Sequence, residues 1–86
     1  MALQEIISNT TLLRLTNERN AQHHKFGADP LASDSQFLSI LTEELGEIAR
    51  CLNEKRPDDE LIIEIVQAAA ICIAHLDGDL HYGARP

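Results

Sequence analysis

Six residues in the middle of the chain combine a chemistry-bearing type with a usable spacing: Glu43, Glu44, Glu47, Glu60, Glu64 and Gln67. Side chains three apart lie on one side of a helix, so Glu44 and Glu47 can aim at a shared point. Glu64 and Gln67 repeat that spacing, with Glu60 one turn before them. Oxygen donors on two facing helices suit Mg2+, a hard cation that takes oxygen ligands in near-octahedral geometry. A cation held this way bridges phosphate oxygens, polarises phosphorus and lowers the pKa of an attacking water. The chemistry within reach is metal-assisted hydrolysis of a phosphate compound. The same acids also read as a solvated face. Glu43–Glu47 and Glu47–Arg50 have ordinary surface spacings, and Glu60 suits the start of a helix.

Three helices are expected to position these residues. The first runs from about Leu3 to His24, although Ser8-Asn9-Thr10-Thr11 could instead start a helix of its own. Phe26-Gly27-Ala28-Asp29-Pro30 breaks it, and Asp34 or Ser35 can cap the next helix. The second runs from about Gln36 to Asn53. Phe37, Leu38, Leu41, Leu45, Ile48, Ala49 and Leu52 form its apolar face. Glu44 borders that face beside Phe37 and Ile48, whereas Glu43 points to solvent. The third begins at Pro57, a residue suited to a first helical turn. Asp58, Asp59 and Glu60 follow, where acids favour the helix dipole. It is expected to run to about Leu76 and to end at Gly78, leaving a flexible tail over 79–86.

The third helix is apolar round most of its circumference, through Ile62, Ile63, Ile65, Val66, Ala69, Ile71, Cys72, Ile73 and Leu76. Such a helix is buried on several sides, and two neighbours in a short chain cannot easily cover it. The expected architecture is all-α: one domain over 1–86, about three helices per chain, completed by homodimerisation around this helix. A monomeric three-helix bundle is the alternative. Glu60, Glu64 and Gln67 form a narrow polar stripe on the apolar helix, and Ile71 closes it. A localised polar patch facing another helix suggests a site.

Composition narrows the function classes. The chain has 86 residues and a net charge of −7. An acidic surface repels a nucleic-acid backbone, so long DNA or RNA is excluded as the expected partner. A small polyphosphate is not excluded, because bound cations reverse local charge. The start of the chain lacks a signal-peptide pattern. Leu61 to Leu76 is interrupted by Glu64, Gln67 and His75, which makes it a poor membrane span. Cys51 and Cys72 lie inside apolar helical patterns and make no disulfide framework. A reduced, cytoplasmic protein with no membrane partner is expected.

Three stretches resemble one family. Glu43-Glu44-Leu45-Gly46-Glu47 resembles the Glu-Glu-x-x-Glu motif of the MazG-like, all-α nucleoside triphosphate pyrophosphohydrolases. Glu64-Ile65-Val66-Gln67 stands where that family carries Glu-x-x-Asp. Upstream, Glu18-Arg19-Asn20-Ala21-Gln22-His23-His24-Lys25-Phe26-Gly27 looks like the Glu-Arg-x-x-Gln-x-x-Lys-Trp-Gly stretch of small phage and bacterial members. The likeness covers residues 12 to 77, approximately. Each motif alone is loose; three in order are fairly specific.

The resemblance implies an all-α bundle assembled as a homodimer or a dimer of dimers. It implies hydrolysis of (deoxy)nucleoside triphosphates to monophosphate and pyrophosphate with Mg2+, or Mn2+ in its place. Family members are associated with clearing unwanted nucleotides. Glu44, Glu47 and Glu64 would be metal ligands, with Gln67 in place of the family's aspartate. Glu43 would support the motif or aid the water. Gln67 offers a neutral carbonyl oxygen where aspartate offers a charge, so weaker Mg2+ binding is implied. Gln22, Lys25 and Phe26 would contact substrate, Lys25 as a point charge on phosphate and Phe26 against a base.

Other readings are weaker. His23-His24 beside a turn, or Cys72 and His75 with Cys51, fit no closed zinc pattern. No Ser-His-Asp context exists, and no glycine-rich phosphate loop. The rival from another class is a non-catalytic helical dimer that acts as an interaction or regulatory module, or that binds nucleotide without turnover.

Overall fold

The computed structural model describes residues 6–26 and 34–82, with side chains described over 6–24 and 34–78. It holds three helices, α1 (Asn9–Phe26), α2 (Asp34–Asn53) and α3 (Asp58–Tyr82), and no strand among the described residues. The all-helical expectation is met. α3 packs against both α2 and α1, so the most apolar helix lies between the other two.

The helix ends follow from local chemistry. α1 starts at Asn9, not near Leu3, because Ser8 caps it: the Thr11 N–H donates to Ser8 Oγ at 3.1 Å. That bond satisfies one of the amides left open at a helix start. α1 runs two residues past His24, to Phe26, and α2 starts at Asp34.

α2 closes in a Schellman motif. Arg56 N–H donates to the Cys51 carbonyl at 2.9 Å and Lys55 N–H to the Leu52 carbonyl at 3.3 Å. This pair of bonds requires a left-handed residue between helix and turn, and Lys55 supplies it with φ 53°. A lysine there carries a steric penalty that glycine avoids. Lys55→Gly is therefore expected to stabilise the chain by about 1 kcal/mol, read as a higher urea midpoint at unchanged m-value.

α3 corrects the sequence reading at its far end. Gly78 does not stop the helix; it is buried inside it, and α3 runs on to Tyr82. Glycine within a helix costs only about 1 kcal/mol relative to alanine, and it terminates a helix only when the backbone turns left-handed. Residues 79–82 of the expected tail are thus helical, and 83–86 lie outside the described residues.

α2 and α3 form an antiparallel hairpin whose facing sides are visible in the burial pattern. Phe37, Leu41, Glu44, Ile48 and Cys51 on α2 are half-buried or buried, as are Glu64, Ala68, Ile71, His75 and Gly78 on α3. Both sets recur at alternating steps of four and three, the period of an interhelical seam. At one end of the seam the Phe37 and His75 rings stack at 4.1 Å. His75 Nε2 also lies 2.7 Å from Asp34 Oδ1.

The core is small: among the described residues the buried apolar ones are Cys51, Ala68, Ala70 and Ile71. Large apolar side chains remain outside it. On α2 Leu38, Leu45 and Leu52 stand seven residues apart and are 63, 54 and 59% exposed. On α3 Ile62, Ile65 and Leu76 are exposed as well. The radius of gyration is 14.1 Å, against about 12 Å for a compact domain of this length. The Asp58–Gly78 stretch, with mean hydropathy 1.7, is long and apolar enough to cross a membrane by length and composition. One such helix is weak evidence, since core helices pass the same test.

Candidate functional site

The sequence places an acid on each side of the α2–α3 seam, and the fold brings the two together. Glu44 occupies the α2 seam between Leu41 and Ile48; Glu64 and Gln67 lie opposite on α3, all three half-buried. With the Gln67 amide nitrogen turned towards the carboxylates, it donates to Glu64 Oε2 at 3.2 Å and to Glu44 Oε2 at 3.3 Å. Of the candidate residues, these three make one polar contact inside an apolar seam.

The electrostatics show the strain of that contact. The Glu44 carboxyl is pushed above its ordinary value of 4.5, first by burial and then by the nearby Glu64 charge. A side-chain hydrogen bond with Glu64 and the charges of Glu47 and Glu18 add to it. Two like charges in a poorly solvated place each disfavour the other's ionised form. Glu18, half-buried on α1, brings negative charge from that helix to the same spot.

Beside this contact, towards the α2–α3 turn, lies a cleft of about 210 Å3 lined by Glu47, Arg50, Cys51, Arg56, Glu60, Ile63 and Glu64. Glu64 belongs to both the seam contact and the cleft wall. Glu47 is exposed and sits 3.8 Å from Arg50, the ordinary surface pairing its spacing allows. Glu54 takes Arg50 Nε at 3.2 Å and Arg56 Nη1 at 3.1 Å, and Arg56 Nε reaches Glu60 at 2.6 Å. The Arg56 hydrogen bond, ahead of that from Arg50, holds the Glu54 carboxyl below its ordinary value. Burial, followed by the charge of Glu64, pushes the Cys51 thiol up, with Arg56 opposing.

The remaining candidates are not drawn into this group. Glu43 is exposed and is neither a cleft residue nor among the charges acting on Glu44. Gln22 is half-buried, and its carbonyl oxygen accepts from Arg19 Nη1 at 3.2 Å within α1. The side chains of Lys25 and Phe26 lie outside the described residues, although both residues are helical. His23 and His24 are exposed, their rings edge-to-face at 6.4 Å. His75 is engaged by Phe37 and Asp34, and both thiols are free.

Sequence reading missed Glu18 and Arg56 as members of this region. Glu18 shares α1's half-buried side with Leu12, Leu15 and Gln22, which is a helical spacing and could have marked it. Arg56 had no such signal, because its place depends on the left-handed Lys55.

The donor set suits a hard cation: carboxylate and amide oxygens, half-buried, from two helices. Among the described residues, no group of three or more His, Cys, Asp or Glu is arranged to hold a metal ion. In this conformation the Gln67 amide bridges the two carboxylates, and Glu47 turns to Arg50. Comparison with family models, with curated proteins and with solved structures yields no match.

Proposed function

We propose that the protein is a MazG-like nucleoside triphosphate pyrophosphohydrolase, cytoplasmic and dimeric, that acts with Mg2+. The observation that carries this reading is the meeting of Glu44 with Glu64 and Gln67 inside the apolar α2–α3 seam. A half-buried carboxylate pair is costly to keep without a compensating cation. Glu44, Glu47 and Glu64 would hold the metal, with the Gln67 carbonyl as a further oxygen once its amide turns. When bound, Mg2+ supplies charge neutralisation and polarisation of the phosphoryl group. Glu43, on the solvent side of α2, would act at longer range or only in the assembled dimer.

The exposed leucines support dimerisation. Leu38, Leu45 and Leu52 stand exposed at seven-residue steps, the heptad spacing of one position in a helix-packing seam. A second copy is preferred to lipid as the cover for α3, because Glu64 and Gln67 on that helix are costly inside a bilayer.

Pyrophosphate release tests the activity. Across a panel of canonical and modified NTPs and dNTPs with Mg2+ or Mn2+, release is expected from the wild type and at least about a hundredfold less from Glu47→Ala. No release above the variant with any nucleotide would sink the enzymatic reading. The protein would then be a helical assembly module or a nucleotide binder, the reading favoured by its exposed apolar stripes.

A further inference from the structure

We propose that Arg56, with Arg50 beside it, is the diphosphate clamp of the cleft and grips the phosphoryl chain of the substrate next to the carboxylate group. The identity of the ligand rests on the pyrophosphohydrolase reading; the clamp itself rests on geometry. Both arginines line the same cleft as Glu47 and Glu64, so an anion held by them would lie against the acids assigned to the metal.

Arg56 is held in place by its backbone. It follows the left-handed Lys55, donates its N–H to the Cys51 carbonyl at 2.9 Å and precedes Pro57. A proline fixes its own φ and restricts the residue before it. The Arg56 side chain therefore starts from a rigid turn.

Glu54 shows what the pair can hold. It lies between the two guanidinium groups, one oxygen on Arg50 Nε at 3.2 Å and the other on Arg56 Nη1 at 3.1 Å. A carboxylate spanning two arginines occupies the position that a phosphoryl group of a polyphosphate would take. Guanidinium forks match phosphate oxygens at least as well as carboxylate, and bidentate pairs are the strong ones. The Glu54 side chain is 47% exposed, so its bonds are weakened by water and salt. It can swing into solvent when a more highly charged anion arrives. Arg56 has five N–H donors, so it can keep Glu60 at 2.6 Å and still turn the freed donors to phosphate.

Calorimetric titration of the full chain with inorganic diphosphate, with and without Mg2+, tests the clamp, and Mn2+ binding followed by electron paramagnetic resonance runs in parallel. Arg56→Gln is expected to weaken diphosphate binding about tenfold or more. Arg56→Lys should lose nearly as much, because lysine keeps the charge and loses the fork. Arg19→Gln, on α1, should bind like the wild type, and Mn2+ affinity should be unchanged in all three. Circular dichroism confirms that each variant remains helical.

Diphosphate binding in Arg56→Gln and Arg56→Lys equal to that of the wild type would overturn the clamp. So would Mn2+ binding by a wild type that ignores diphosphate, an outcome that leaves the metal-dependent reading standing. Diphosphate binding that depends on Arg56, in a protein that takes no Mn2+, would support the clamp and overturn the metal-dependent reading instead.

Discussion

Leu45→Asp is expected to turn a dimer into a monomer. Leu45 is 54% exposed at the middle of the Leu38–Leu45–Leu52 stripe. Burial of a leucine contributes about 1.5–3 kcal/mol, and a symmetric interface contains the residue twice. With about half of each Leu45 side chain still open to burial, losing both copies removes about 2–3 kcal/mol before the cost of two incoming carboxylates, on the order of a hundredfold in dimer dissociation. Sedimentation equilibrium reads the mass directly. The wild type should sediment at twice the chain mass at micromolar concentration and the variant at the chain mass. The melting temperature of the wild type should rise with protein concentration, as mass action requires, and that of the variant should not. A wild type that is monomeric, or a variant that dimerises equally well, would remove the stripe as an interface.

Glu64→Gln should all but abolish the stabilisation of the fold by divalent metal. In the metal-free protein Glu64 raises the energy of Glu44 through its charge. The amide variant, without that charge, should melt a few degrees higher. With Mn2+ at about a hundred times its dissociation constant, the wild type gains about 2.7 kcal/mol. For a chain of this size that is about 10 °C or more. The variant should gain little. Sodium chloride at matched ionic strength is the control, since a merely solvated acidic face responds to screening alone. A variant that destabilises the apo protein while keeping the metal response would put Glu64 in a packing role and out of the site.

The pH dependence carries a sign of its own. Glu44 titrates higher in the fold than in the unfolded chain, so over that window the native state binds more protons. Its contribution is full below the ordinary value of 4.5 and is lost as pH rises through the raised folded value. Glu54 behaves oppositely: its folded value is lowered, so its contribution is present above 4.5 and is lost as pH falls through the depressed value. Glu64→Gln should flatten the first slope, although burial of Glu44 keeps part of it, and should leave the second unchanged.

Much of this architecture is legible in the residues. Periodicity marks α2, and Pro57 with the acids after it marks the start of α3. Glu44 could be singled out because it interrupts an apolar seam, and Glu64 because it interrupts an apolar helix. Gly78 misled because glycine ends a helix only in company with a left-handed turn, and residue type does not report φ. The reverse error hid Arg56: Lys55 adopts that conformation without being glycine. The Phe37–His75 stack and the approach of Glu18 to Glu44 depend on how whole helices dock, and local spacing carries little of that.

The Glu44–Gln67–Glu64 contact also sets the alignment of the hairpin. Apolar seams alone are tolerant of sliding, since apolar contacts are not directional. A slip of one turn, about 5.4 Å, would carry Glu44 away from the Gln67 amide and towards Ile63 in one direction or Ile71 in the other. A charged group among apolar neighbours without a hydrogen bond is heavily penalised. The residues that weaken the packing of α2 on α3 therefore also choose its register, much as a lone buried asparagine does in a coiled coil.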